Sequence, residues 1–241
     1  MKLTSGLYAY CIIARNCCDT GEPELPDGTF LVQHRDIAAV VERVSESKWQ
    51  PTKDNIIRHQ KIITTVQETL PILPLRFGMV FKDSEELARV LQDKYTEIQG
   101  LFAKVEGRVE LSLRLFWHHN AFLEDIGNRK IEELKKQYQN ANANHYIAAI
   151  EIGKQVESLV NQKREEYIRE ILEPLRGIAD DSVLGPITGE KMVFNAAFLV
   201  KESLVDQFDE VVKNLHDQYQ EKFLFRYSGP WPAYNFAAAK W

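Results

Sequence analysis

The side chains able to do chemistry in this 241-residue chain are few and scattered. His59 is the most informative, because it falls on the apolar stripe of a predicted helix. A buried histidine at such a position more often hydrogen-bonds to the backbone than serves as a catalytic base or ligand. His118 and His119 are adjacent, so in a strand they point to opposite faces and do not readily share a metal.

The motifs that announce a catalytic or cofactor site are missing from the sequence. It contains no nucleophile elbow, HExxH, CxxC or dinucleotide-binding glycine fingerprint. The run from Gly185 to Lys191 superficially resembles a phosphate loop, but its glycine spacing is wrong, and it predicts a β-hairpin turn instead. We therefore predict no catalytic residue, no cofactor and no metal.

Compartment and partner class follow from composition. The three cysteines are an odd number, and two are adjacent, so they predict no disulfide framework and favour a reducing cytoplasm. The net charge of −5 argues against a nucleic-acid partner. No apolar run approaches the length of a membrane span, and the first residues lack the pattern of a signal peptide.

An arginine inside an apolar segment allows two interpretations. Arg76 lies between Leu75 and Phe77 in the Pro- and Gly-punctuated run Leu73–Phe81. An arginine in such a context usually pairs with a carboxylate or caps carbonyl groups, because an unpaired buried charge is costly. Arginine and aromatic residues are also the usual anchors of protein interfaces, so a partner-facing role stays open.

The aromatic C-terminal segment needs a surface to dock on. Alternation from Phe223 to Tyr227 predicts a strand, and Pro230 and Pro232 then force a turn and an extended path. Three bulky aromatic residues follow within this rigid stretch: Trp231, Tyr234 and Phe236. We predict that they fold back toward Arg76 and Phe77 as a clasp that helps to fix two domains.

The periodicity of the chain predicts an α+β fold with two domains. Residues 1–106 are expected to form an irregular α+β domain, with Thr52 as the N-cap of the His59 helix and one amphipathic helix from Asp83 to Val105. Residues 107–241 begin with the alternating strand Val109–Trp117 and follow the order β, α, β, β, α, β, which is ferredoxin-like. The second strand of this order is expected near Arg176–Ser182. Its first crossover carries an inserted helix, Leu123–Gln137, and a polar linker, Gln139–Asn144.

The ferredoxin-like order raises the option of RNA binding. That module needs aromatic residues and a basic-glycine signature on its third strand. The corresponding run here, Lys191–Phe198, lacks that signature, so an RNA-binding domain is not predicted.

Four segments, taken in order, carry a family resemblance: His59, the run Leu73–Phe81, the strand opening Gly107–Glu110, and the ending Ser228–Phe236. Together they resemble the gas vesicle protein F/L family, and its F members most closely. The resemblance spans essentially the whole chain. Ala233 stands where the family usually has a second proline, and Met79 where threonine is common.

The resemblance implies a minor, non-enzymatic accessory protein of gas vesicle assembly, located at the gas vesicle in the cytoplasm. Its expected partners are the very hydrophobic major shell protein and other accessory proteins, with no nucleic acid and no membrane. Transient covering of the shell protein, to prevent its aggregation or to nucleate the shell, is the expected mode of action. Incorporation into the wall is a further option.

Candidate binding surfaces are the strand Val109–Trp117 and the aromatic tail. The candidate interface or domain-clasp residues are His59, Leu75, Arg76, Phe77, Trp231, Tyr234 and Phe236. The alternative class is a small-molecule enzyme that uses His59 and Arg76 on a ferredoxin-like domain.

Overall fold

Two antiparallel β-sheets with flanking helices make up the computed structural model, which describes residues 6–15, 24–45, 50–127, 132–133, 136 and 145–237. This mixed arrangement confirms the predicted α+β class. The strands are β1 Gly6–Ala14, β2 Thr29–His34, β3 Ile37–Val44, β4 Ile72–Pro74, β5 Val80–Phe81, β6 Arg108–Trp117, β7 Asp181–Leu184, β8 Met192–Lys201 and β9 Phe223–Trp231. The helices are α1 Lys53–Gln67, α2 Ser84–Asp93, α3 Tyr95–Val105, α4 His119–Ile126, α5 His145–Tyr167, α6 Glu173–Arg176 and α7 Val205–Tyr219.

The chain forms two compact units, and the first of them is discontinuous. The N-terminal unit contains Met1–Glu110 together with Pro230–Trp241, and the C-terminal unit contains Leu111–Gly229. The units thus differ from the predicted division in two respects. The boundary falls inside β6 rather than before it, and the aromatic tail belongs to the N-terminal unit because its contacts are made there.

Strand β1 is the centre of the N-terminal sheet, whose order is β2-β3-β1-β4, with β5 also paired to β1. On one side β1 pairs with β3, and the register shifts between Ala9 and Cys11, which leaves Tyr10 at a bulge. On the other side the β1 residues Cys11–Ile13 pair with β4, and Leu7 and Tyr8 pair with β5. The segment between β4 and β5 therefore starts and ends against the same strand.

The helices of this unit begin where the sequence predicts. Thr52 caps α1 by accepting a hydrogen bond from the Asn55 backbone N–H at 3.3 Å, and Asp83 caps α2 by accepting from Glu86 at 2.9 Å. The single helix expected from Asp83 to Val105 is wrong, because the chain leaves helical geometry at Lys94 and starts again as α3. No glycine or proline marks that break.

The C-terminal sheet has the order β7-β8-β6-β9. Alternate residues of the inner strand β6, Leu111, Leu113 and Leu115, are buried, as its period of two predicts. β7 and β8 pair antiparallel from Asp181↔Leu199 to Leu184↔Ala196, so the run Gly185–Lys191 is a hairpin connection as predicted.

Two of the predicted elements of this unit differ from the structure. The strand expected near Arg176 is wrong in its start, because a π-helical turn, Ile168–Leu172, carries α5 into α6 and the strand begins only at Asp181. Helix α4 covers His119–Ile126. Most of the rest of the predicted inserted helix, and the predicted linker Gln139–Asn144, lie outside the described residues.

A partly buried carboxylate joins three elements of the C-terminal unit. The same oxygen of Asp125, Oδ2, accepts hydrogen bonds from Trp117 Nε1 at 2.9 Å and from the Tyr167 hydroxyl at 2.7 Å. Lys222 Nζ lies 3.0 Å from the other oxygen and also donates to the Tyr167 hydroxyl. This cluster ties α4 and α5 to β6 and to the residue before β9.

No helix in the described ranges is long and apolar enough to cross a membrane.

Candidate functional site

The His59 ring lies in a chain of hydrogen bonds that joins β1, α1 and the segment between β4 and β5. Its Nε2 lies 3.1 Å from the Leu75 carbonyl, its Nδ1 lies 2.9 Å from the Tyr8 hydroxyl, and the Gly78 N–H donates to that hydroxyl at 3.0 Å. A carbonyl only accepts, so Nε2 carries the proton and Nδ1 accepts from Tyr8. The relay then runs from Gly78 through Tyr8 to His59, and from His59 to Leu75.

This direction of the relay requires a neutral imidazole. His59 is 5% exposed, and burial lowers its pKa to about 4 despite the opposing bond to Leu75. Burial likewise raises the pKa of Tyr8 to about 12, against the effect of the Gly78 N–H. Both groups are therefore uncharged near neutral pH, and His59 takes the backbone-bonded role.

The segment from Leu75 to Met79 passes over this relay as a loop. Its two ends bond to β1, with the Leu75 N–H donating to the Tyr10 carbonyl and the Ala9 N–H to the Met79 carbonyl, each at 2.9 Å. Gly78 has φ +93°, a left-handed conformation that disfavours any side chain. The loop therefore turns at Gly78, where its N–H reaches Tyr8.

The loop directs Phe77 inward and Arg76 outward. Phe77 is half-buried, and its ring meets those of Tyr8 and His59 edge-on at centroid distances of 5.7 and 5.5 Å. Arg76 is exposed and forms no ion pair or hydrogen bond with the side chains and backbone that the structure describes. Of the two interpretations of Arg76 that the sequence left open, pairing within the fold gains no support, because the side chain is exposed.

Beside the relay lies a buried ion pair that the sequence did not indicate. Glu42 Oε2 accepts from the Tyr10 hydroxyl at 2.7 Å and from Arg58 Nε and Nη2 at 3.1 and 2.9 Å. The Glu42 side chain is 8% exposed and that of Arg58 is 43% exposed, so the carboxylate is buried and the guanidinium reaches solvent. The pKa of Tyr10 is raised by burial first and by Glu42 second. An acid within the apolar strand β3 was the only sequence signal.

The aromatic tail packs within the N-terminal unit. The Tyr234 hydroxyl donates to Gln60 Oε1 on α1 at 3.1 Å, and its ring packs against the core cluster that Phe77 also contacts. Phe236 is buried, with Lys104 Nζ 5.5 Å from its ring centroid. Trp231 is the most exposed of the three tail aromatics, at 39%.

A buried carboxylate fixes the tail on its other side. Glu110 is 3% exposed, and its two oxygens accept from Asn235, one from the backbone N–H at 2.8 Å and one from the side-chain amide at 2.7 Å. Burial raises the pKa of Glu110, and the two donors of Asn235 partly oppose that shift. The contact of Asn235 with Glu110 was not predicted, because only the aromatic residues of the tail carry a signal in the sequence.

The structure thus brings His59, Leu75, Phe77 and Tyr234 to one region of the N-terminal unit, and leaves Arg76 facing solvent. The predicted role of the tail as a clasp between two domains stays a prediction. Both nitrogens of His59 are engaged internally, so the ring is occupied as a structural group. Within the described ranges, no three His, Cys, Asp or Glu side chains are grouped so that they could hold a metal ion.

Comparison with known proteins gives matches along nearly the whole chain. Residues 6–238 match the family described as gas vesicle synthesis protein GvpL/GvpF. Gas vesicle protein F of Nostoc sp. is 26% identical, over 98% of this chain and 99% of that relative. The resemblance seen in the sequence motifs is therefore confirmed.

Two crystal structures share the fold. That of GvpF from Anabaena sp. has a TM-score of 0.80 at 26% identity, covering 98% of this chain and 99% of the other. That of GvpF from Microcystis aeruginosa has a TM-score of 0.82 at 24% identity, covering 97% and 99%.

A first prediction concerns the pH dependence of stability. Because the pKa of His59 falls from 6.5 to about 4 on folding, the unfolded chain binds the proton more readily. The contribution of His59 is intact above pH 6.5 and is lost as the pH falls toward 4. Between pH 7 and pH 4 we expect wild type to lose about 2–3 kcal/mol more unfolding free energy than His59→Gln. Urea melts of both proteins measure this difference, and an equal loss in the two would contradict a neutral buried His59.

A second prediction compares the two ends of the Glu42–Arg58 pair. Arg58→Met leaves a buried carboxylate without its cation, whereas Glu42→Gln leaves a guanidinium that can reach water. We expect Arg58→Met to lower the unfolding free energy by roughly 1–3 kcal/mol more than Glu42→Gln does. Chemical denaturation of the two variants tests this order, and the reverse order would show that Glu42 is solvated.

A third prediction tests the attachment of the tail. Asn235→Ala removes one charge-assisted bond to Glu110 and should lower the unfolding free energy by about 1.5–3 kcal/mol. Asn235→Asp places a second carboxylate there and should lower the unfolding free energy further at pH 7, and the gap should close as the pH falls and the pair takes up a proton. Thermal melts at pH 7 and at acidic pH measure this. Equal melting temperatures for the two variants at pH 7 would count against the contact.

Proposed function

Because the chain belongs to the GvpL/GvpF family of gas vesicle synthesis proteins, we propose that it acts in gas vesicle formation by binding the hydrophobic major shell protein and other accessory proteins. Its role in gas vesicle formation follows from the family itself. We further propose that the protein works in the cytoplasm, that it covers apolar surface of the shell protein before assembly, and that it is not an enzyme. The observation that carries this proposal is the family match over residues 6–238.

Two surfaces that the sequence suggested for this task are occupied inside the protein. The apolar residues of β6, Leu111, Leu113 and Leu115, are at most 1% exposed. Of the tail, Phe236 is buried and Tyr234 packs on the core of the N-terminal unit. Apart from Trp231, which is 39% exposed, these residues therefore stabilise the fold, because their apolar area is already removed from water.

A different part of the N-terminal unit supports partner binding. Arg76 is exposed, and α1 displays Ile56 and Ile57, which are 48% and 54% exposed, within one turn of His59. Exposed aliphatic groups and exposed arginines are both found on surfaces that meet another protein. This supports the partner-facing interpretation of Arg76 that the sequence left open.

We also infer that the C-terminal unit is ferredoxin-like. Its elements follow one another as β6, α5, β7, β8, α7 and β9, with α4 inserted in the first crossover, and the sheet order is β7-β8-β6-β9. This is the split βαβ arrangement, in which the third strand lies between the first two.

The alternative of an enzyme using His59 and Arg76 gains no support from these two residues. A catalytic base needs a nitrogen within reach of a substrate proton, and both ring nitrogens of His59 are bonded within the fold. Arg76 is exposed on the other side of the loop that carries it.

The proposal predicts that binding is apolar in origin. A pull-down of the major shell protein should persist at roughly 1 M salt, where charges are screened within about 3 Å but apolar contacts are not. Ile57→Glu should weaken capture, while Lys213→Glu, an exposed control on α7, should not. Capture that collapses in moderate salt would contradict the proposal.

Washing purified vesicles separates the two modes of action. A transient accessory protein is removed by a stripping wash. A protein that resists the wash in constant proportion to the shell would instead be a component of the wall.

A further inference from the structure

A cleft of about 690 Å³ opens on the C-terminal unit. One wall is a face of α5 and the other is the connection between β7 and β8, with α4 contributing at one end. Its apolar lining consists of Phe122, Val156, Val160 and Ile187. This volume lies within the range of protein sites that enclose bulky ligand groups.

Apolar groups along the cleft are left in water. Ile187, on the connection, is 47% exposed, and Ile150, one turn before Gly153 on α5, is 43% exposed. Spacings of three and four residues separate Ile150, Gly153, Val156 and Val160, so these residues form one stripe of the helix. The stripe therefore extends the apolar lining beyond the cleft itself.

Gly153 makes room on this stripe. Glycine is unfavourable inside a helix, yet it occurs here where a Cβ would meet no atom of the described residues within 4 Å. The space beside it is open to a side chain from another molecule. Helix α5 therefore carries its smallest residue at a position that lines the cleft.

Among the polar groups of the cleft, an arginine is engaged within the protein and two glutamates are exposed. All three donor nitrogens of Arg164 are engaged at 3.0 Å, with the Met192 carbonyl, the Glu190 carbonyl and Asn161 Oδ1. Burial lowers the pKa of Arg164, and the guanidinium lies over the Trp117 ring. Glu157 and Glu190 line the cleft and are exposed, and Glu157 also raises the pKa of Arg164 against the effect of burial. The exposed side chains of the cleft are therefore mainly acidic.

We propose that this cleft binds an amphipathic segment of the major shell protein in which bulky apolar side chains flank a lysine or arginine. This inference rests on the proposed function and adds a second contact site to the α1 surface of the N-terminal unit. The apolar side chains fill the space at Gly153 and contact Val156 and Ile187, and the cation meets Glu157 and Glu190 at the rim. Docking of an apolar stripe into a groove supplies the affinity, and the complementary charges select the segment.

A substitution that puts a large side chain into the cleft tests whether the cleft binds the shell protein. Gly153→Trp places a bulky ring on the wall of the cleft, and its Cβ meets no atom of the described residues within 4 Å. Gly100→Trp is the matched control, because Gly100 is also an exposed helical glycine with nothing within 4 Å of its added Cβ. Labelled synthetic peptides that tile the shell protein, and the full-length shell protein, are titrated against wild type and both variants. Equal melting temperatures confirm that the variants are folded.

We expect a peptide that contains apolar residues beside a lysine or arginine to bind wild type. Gly153→Trp should weaken its binding by roughly tenfold or more, and Gly100→Trp should leave it unchanged. Replacing the cation of the peptide by glutamate should weaken binding to wild type, and the double variant Glu157→Lys, Glu190→Lys should prefer that altered peptide.

Three results would overturn the assignment. Binding of the peptides equal in wild type and Gly153→Trp would exclude the cleft, while continued capture of full-length shell protein would leave the proposed function standing. Failure of wild type to bind the shell protein at all would remove the proposed function itself. A concentration-dependent dimer of wild type that Gly153→Trp makes monomeric would assign the cleft to a second copy of this chain.

Discussion

An uncharged histidine ring holds the N-terminal unit in its observed arrangement. His59 accepts a hydrogen bond from the Tyr8 hydroxyl on one side and donates one to the Leu75 carbonyl on the other, and only a neutral ring can do both. Because Tyr8 also accepts from Gly78, the ring sets the direction of every bond in the relay. The loop that exposes Arg76 is therefore positioned by groups lying beneath it. Its shape is fixed by a helix and by the central strand of the sheet.

Three carboxylates that are largely shielded from solvent are each stabilised by hydrogen-bond donors from other elements. Glu42 is paired with Arg58, Glu110 receives two donors from Asn235, and Asp125 receives three groups in the C-terminal unit. Each carboxylate joins elements distant in sequence, and each would be costly if its partners were absent. The polar interior thus specifies which elements meet, while the apolar core supplies most of the driving force.

What the sequence could predict was largely local. The caps at Thr52 and Asp83, the alternation in β6, the β7–β8 hairpin and the α+β class all depend on residues a few positions apart. The break at Lys94 has no local signal, and the start of β7 was displaced by a π-helical turn that no sequence pattern marks.

The candidate site required information that spacing does not contain. Tyr10 and Glu42 are 32 residues apart, and Glu110 and Asn235 are 125 apart, so their meeting depends on how the whole unit folds. His59 was identified because an apolar helical stripe is a local pattern. The exposure of Arg76 was not predicted, because the path of the loop decides whether this side chain is buried, and its apolar neighbours in the sequence do not. The cleft beside Gly153 left only one trace in the sequence, a glycine within a long helix.

The discontinuity of the N-terminal unit has a consequence for the living cell. Its first 110 residues leave the ribosome well before Pro230–Trp241, with the entire C-terminal unit synthesised in between. Until the tail arrives, Glu110 lacks the donors of Asn235, and the surface that Tyr234 covers is open. Translation therefore imposes an order on maturation: the N-terminal unit begins first, finishes last, and is completed only after the other unit has left the ribosome.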